Sequence, residues 1–134
     1  MKIEVNEEYA VNISFTQEQV NAFAEISGDK NSIHIDPEYA KNTVFGRTII
    51  HGFLSGSVFS KVFGTEWPGE GTIYISQSLN FRAPAFVNEL YTAKFKCVDI
   101  IREKHRGIIE CRLTDMNGNI IIDGEAVLKH NLYF

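Results

Sequence analysis

The stretch that most constrains this chain is Thr48 to Phe63, TIIHGFLSGSVFSKVF. Ile49, Ile50, Phe53, Leu54, Val58, Phe59, Val62 and Phe63 surround Gly52, Ser55, Gly56, Ser57 and Ser60. Wound as a helix, the segment is apolar on nearly every side, and such a helix is buried by whatever surrounds it. His51, the glycines and the serines interrupt it too often, and it is too short, for it to span a bilayer. The reading is a central helix whose small residues let a sheet backbone come close, so the rest of the chain must provide that sheet.

From Thr72 onward the sequence does so. Tyr91, Ala93, Phe95 and Cys97 alternate with Thr92, Lys94 and Lys96, and Ile109, Cys111 and Leu113 alternate with Glu110, Arg112 and Thr114. A period of two with one apolar face describes antiparallel strands, wet on one side and buried on the other. Asn117-Gly118 is a strong hairpin turn signal. Gly71 to Phe81 and Ile120 to Lys129 complete a sheet of about five strands, counting an early one in which Val11, Ile13 and Phe15 alternate with Asn12 and Ser14. One buried helix followed by a run of strands gives an α+β class with the sheet wrapped around the helix. Residues 1–134 read as one domain, without repeat or linker. His130 to Phe134 carry no strong pattern.

Between the first strand and the central helix lie the chemical groups. Thr16 reads as a helix N-cap with Gln19 completing a capping box, and Phe15 and Val20 occupy the two positions of a hydrophobic staple. Val20, Phe23, Ala24 and Ser27 form the inner stripe of that helix, and Gly28 stops it. Asp36-Pro37 opens a second, short helix running to about Lys41. The intervening loop holds Asp29, Asn31 and His34. A carboxylate and an imidazole five residues apart on a loop can converge on one small molecule, most simply a water.

Charge and cysteine usage narrow the setting. The formal net charge is −4 and no basic cluster exceeds two or three residues, so neither nucleic acid nor a polybasic membrane contact is favoured as a partner. The start MKIEVNEEYA lacks the apolar core of a signal peptide, and a cytoplasmic protein is expected. Cys97 and Cys111 take aliphatic positions in alternating segments and read as buried free thiols rather than a disulfide.

The run ISGDKNSIHIDPEYAKNTVFGRTIIHGFLSGSVFS resembles the MaoC-like hydratase family, in particular its single-domain (R)-specific enoyl-CoA hydratases, and GTIYISQSLNFRAPAFVNEL resembles that family's second block. The family pattern is roughly G/E-D-x-N-P-hydrophobic-H-x-D followed by an HG pair. Ser32 departs from it, standing where the family usually has Pro, which restores an amide N–H and a wider φ range without removing a catalytic group. The resemblance covers essentially the whole chain. It implies a hot-dog fold and a homodimer that completes the acyl pocket, and free edge strands that need covering point to a dimer as well.

By that resemblance Asp29 and His34 hold a catalytic water, with Asp29 as the base and His34 as its partner in proton transfer. Asn31 positions the loop or the Asp29 carboxylate. The Gly52 backbone N–H, at the start of the central helix, stabilises a developing thioester oxyanion. Ser60 is placed near the substrate. Phe53, Phe59, Phe63, Ile75 and Leu79 are candidates for an acyl tunnel, and Arg47, Arg82, Lys104 and Arg106 for the CoA phosphates. The expected function is reversible hydration of trans-2-enoyl-CoA to (R)-3-hydroxyacyl-CoA, a hydro-lyase reaction of fatty acid metabolism needing no cofactor.

Each assignment has an ordinary rival. Asp29 is a common turn cap after Gly28. His34 alone would read as a satisfied histidine, and His51 either orients the loop or merely precedes the helix. Asp36 reads as the N-cap of the short helix. Aromatic and aliphatic residues at tunnel spacings are usually core, and lone arginines and lysines are usually solvated. Asp29, His34, Asp36 and His51 lack a recognised metal-ligand spacing, so no metal is expected. The competing functions are a hot-dog thioesterase, a 3-hydroxyacyl-carrier-protein dehydratase, and a non-catalytic acyl-CoA-binding module.

Overall fold

The computed structural model describes residues 2–134. In chain order the elements are β1 (Glu8–Ile13), α1 (Gln17–Ser27), α2 (Ser32–Ile35), α3 (Pro37–Lys41), α4 (Gly52–Thr65), β2 (Ile73–Gln77), β3 (Asn80–Phe81), β4 (Tyr91–Ile101), β5 (Arg106–Asp115) and β6 (Ile120–Lys129), with a 3-10 turn at Arg102–Lys104. The strands form one antiparallel sheet in the order β1-β4-β5-β6-β2, with β3 also paired to β6. The α+β class expected from the sequence is present.

The N-terminal helix forms for the reasons its sequence offers. Thr16 Oγ1 accepts the Gln19 N–H at 3.2 Å and Gln19 Oε1 accepts the Thr16 N–H at 2.9 Å, a reciprocal cap. Gly28 ends the helix at φ 81°, in the left-handed region. Val20 and Ala24 are buried and Phe23 is half-buried, but Ser27 is exposed, its hydroxyl turned back onto the Phe23 carbonyl. Asp36 caps α3 by accepting the Glu38 and Tyr39 N–H groups.

Three expectations are corrected by the strands and the loop. The sheet has six strands rather than about five, because the run from Gly71 to Phe81 is cut at Ser78-Leu79. There the Ser78 N–H donates to the Glu125 carbonyl and its Oγ accepts the Glu125 N–H, both at 2.9 Å, which breaks the regular ladder before β3 resumes. The first strand begins at Glu8 and ends at Ile13, leaving Phe15 outside it as the residue preceding the helix cap. The loop carrying His34 contains a single helical turn, α2, capped by the Asn31 side chain, which is too short to leave a periodic pattern.

The sheet's inner face presents Ala93, Phe95, Cys97, Ile109, Cys111, Leu113, Ala126 and Leu128 to α4, which answers with Val58, Phe59, Val62 and Phe63. Phe59 and Phe63 meet Phe95 edge-on at centroid distances of 5.5 and 5.1 Å. Burying each such ring contributes about 1.5–3 kcal/mol. The helix is not covered all round, however: Phe53, Ser57, Ser60, Lys61 and Gly64 form an exposed stripe beside the edge strand β2, four of whose five residues are exposed. The patternless C-terminal residues also join the core, with Phe134 fully buried and its ring lying over Gly107 of β5. No helix among the described residues is long and apolar enough to cross a membrane.

Candidate active site

The site forms where α1 stops and α4 starts. Asp29 follows Gly28 directly; its N–H donates to Ser27 Oγ at 3.1 Å and its Oδ1 accepts the Asn31 N–H at 3.3 Å. Asn31 in turn accepts the Ile33 N–H through Oδ1, starting the turn that carries His34. Asn31 therefore fixes the loop, and it meets the Asp29 carboxylate through its backbone rather than through its side-chain amide.

His34 is 9% exposed, and its Nδ1 lies 2.8 Å from the Ile49 carbonyl. A carbonyl can only accept, so Nδ1 carries a hydrogen in either protonation state, and Nε2 is the nitrogen that can gain or lose a proton. His51 is almost fully buried, with Nε2 2.9 Å from the Asp29 carbonyl and its ring stacked on that of His34 at 3.9 Å. One ligand-capable atom from each of Asp29, His34 and His51 lies within 4.8 Å of the others. The two expected proton-transfer groups, Asp29 and His34, thus converge.

This convergence suits a proton relay better than an ion. Each ring gives one nitrogen to a backbone carbonyl, and a stack 26° from parallel puts the remaining lone pairs in nearly parallel planes, poorly aimed at one tetrahedral centre.

Beside them opens a cavity of about 460 Å³, lined by His34, Gly52, Phe53, Ser55, Phe81, Arg82 and apolar residues of the 83–85 and 121–122 segments. Gly52 is the first residue of α4, and the helix's own hydrogen bonds begin with Leu54 and Ser55 donating to the His51 carbonyl. The Gly52 N–H is therefore one of the groups a helix leaves unpaired at its positive end. A Cβ at Gly52 would sit 2.6 Å from Cε1 of Phe81, so any side chain there displaces that ring from the cavity wall.

The other expected residues are distributed differently. Phe53 is 70% exposed and lines the cavity at its rim. Arg82 also lines it, but its guanidinium binds both carboxylate oxygens of Asp123 and holds that carboxyl below the usual carboxylate range. Ser60 lies outside this cavity, in a separate groove with Phe53, Tyr74, Ile75, Gln77 and Leu79. Phe59 and Phe63 are core, enclosed by the sheet, and line neither space. The period-3.6 pattern identified them as buried without saying against what. Arg47 is engaged by Glu89 at 2.9 Å and lies over the Phe86 ring. Lys104 and Arg106 sit at the turn between β4 and β5 and line no part of the cavity. Ser55, which the sequence marks only as one of the small residues of the helix, is buried on the cavity wall, and its spacing of three from Gly52 places it on the same helix face.

The sequence model of the MaoC like domain matches residues 2–117. The chain is 37% identical over 127 residues to an (R)-specific enoyl-CoA hydratase of Aeromonas caviae, covering 95% of each chain. It is 40% identical over 110 residues to a 3-hydroxybutyryl-CoA dehydratase of Methylorubrum extorquens, covering 82% of this chain and 69% of that one. A solved structure of the (R)-hydratase from A. caviae involved in PHA biosynthesis superposes with a TM-score of 0.92 over 96% of this chain and 97% of the other, which identifies the sheet and helix as a hot-dog fold.

Proposed function

We propose, from the premise that the chain belongs to the MaoC-like family, that it is a hydro-lyase adding water reversibly to trans-2-enoyl-CoA to give (R)-3-hydroxyacyl-CoA. The observation that carries the reading is the approach of Asp29 to His34, which itself lines a cavity whose wall includes the start of a helix, with the Gly52 N–H unpaired.

Hydration of a conjugated thioester needs a base for water, an acid for Cα and a donor for the enolate oxygen. The Asp29 carboxylate takes a proton from a water held between it and His34, and the hydroxide adds to Cβ. Electrons move onto the thioester oxygen, which the Gly52 N–H and the helix's positive end stabilise. Nε2 of protonated His34 delivers a proton to Cα, and proton exchange between the two side chains restores the starting state. No cofactor takes part. The apolar wall of Ile49, Ile50, Ala85, Ile121 and Ile122 suits an acyl chain.

The active form in this reading is a homodimer in the cytoplasm. Support for a second copy comes from β2, a sheet edge whose Ile73, Tyr74 and Ile75 are 56%, 38% and 40% exposed, beside the open stripe of α4. That face also holds Ser60, which a partner would cover.

A hydration assay on crotonyl-CoA, with chiral analysis of the product, tests the reading. Asp29→Asn and His34→Ala are each expected to lower kcat by about 10²–10⁴-fold. Turnover near wild type in both variants, or release of free CoA thiol without loss of the double bond, overturns it.

A further inference from the structure

Resting on that reading, we infer that His51 is a positioning residue for the Asp29–His34 pair, acting through one nitrogen and one ring face without touching substrate. Its ring lies between two others: Phe23 meets it edge-on at 4.8 Å and His34 stacks on it at 3.9 Å. Its Nε2 reaches the main-chain carbonyl of Asp29 at 2.9 Å, across 22 residues of sequence. A single side chain therefore fixes the backbone that carries the carboxylate and the plane of the imidazole that must face it.

The same geometry separates positioning from catalysis. Since a carbonyl only accepts, Nε2 bears the hydrogen, and Nδ1 is enclosed with no hydrogen-bond partner among the described residues. Unlike the exposed Asp29, His51 is only 2% exposed and is shut off from the cavity that His34 and Gly52 share. Neither nitrogen is placed to exchange a proton with a molecule there. His51 is also the residue from whose carbonyl α4 is built, since Leu54 and Ser55 both donate to it, so the dyad is tied to the helix whose first residue, Gly52, lines the cavity. Alignment within about 1 Å is where such support matters, because a displacement of that size in a catalytic group costs on the order of 10²-fold in rate.

Three substitutions isolate the working atom. His51→Phe preserves the ring and its stacking but removes the donor. His51→Gln places an amide N–H where Nε2 stood, and His51→Asn places one where Nδ1 stood. In crotonyl-CoA hydration, the Phe and Asn variants are expected to lose about 10- to 100-fold in kcat with KM within about twofold of wild type, and the Gln variant to recover to within about threefold. The thermal midpoint of each variant, read alongside, identifies the folded ones, and the Gln and Asn pair carries the comparison if the Phe variant does not fold. The inference is overturned if Gln and Asn fall equally, if His51→Phe keeps wild-type kcat, or if KM rises while kcat holds. A wild-type protein that hydrates nothing removes the functional reading and this inference together, whereas an active wild type with indifferent His51 variants removes this inference alone.

Discussion

The two ends of α4 differ in what surrounds them. At the C-terminal end Val58, Phe59, Val62 and Phe63 are packed against Phe95, Trp67 and the sheet, and every ring there has a neighbour. At the N-terminal end the helix opens on a cavity of about 460 Å³ whose wall carries His34 and Gly52 with its unpaired N–H, with His51 and Asp29 beside His34. One helix thus carries stability at one end and an incompletely filled, polar-rimmed space at the other. Close packing leaves no room for a ligand, and a binding space is a place where packing has been withheld.

Substitutions that separate the two ends sharpen this contrast. The largest effect belongs to the packed end: Phe59→Ala removes a fully buried ring and is expected to lower unfolding free energy by about 3–5 kcal/mol, read as a shift in urea midpoint. At the open end, Gly52→Ala places a methyl against the Phe81 ring and is expected to reduce kcat/KM about tenfold while moving the unfolding midpoint little, because the added group displaces a wall residue rather than a core one. If both substitutions alter stability and turnover in equal measure, the division between the ends fails.

The smallest expected effect concerns the cysteines on the sheet face behind α4. Burial pushes the Cys111 thiol up to about 12 and that of Cys97 up to about 11. Both are protonated at pH 8, so a thiol reagent should find neither in the native protein and both after denaturation. Because these values are raised above the ordinary 9.0, their contribution to stability is intact below pH 9 and is lost as pH rises through 9 toward 12. A urea midpoint lower at pH 10 than at pH 8 is the corresponding measurement.

The parts of the molecule legible in the sequence are those governed by local chemistry. The capping box at Thr16, the stop at Gly28, the Asp36 cap, the alternating strands and the turn at Asn117-Gly118 all depend on residues within a few positions of one another. The convergence of Asp29 with His34 was legible too, since it needs only a short loop. The parts that were not legible depend on distant neighbours. Whether Phe63 lines a tunnel or fills the core is decided by Tyr74 and Phe95, and whether Ser60 reaches the cavity is decided by which side of Phe53 it falls on. Phe134 has no periodic partners in sequence, yet Gly107 offers its ring a place. The stacking of His51 on His34 joins residues 17 apart and leaves no spacing signal.

Along the chain, the cavity is assembled from two sources. His34 and the Gly52 N–H come from the passage that leads into α4, whereas much of its apolar wall is Phe81, Ala85, Ile121 and Ile122, contributed by segments that follow the helix. Enlarging or shrinking that wall leaves the proton-handling passage untouched. Tolerance for bulkier or smaller guests is therefore open to adjustment, by selection or by an engineer, independently of the reaction performed on them.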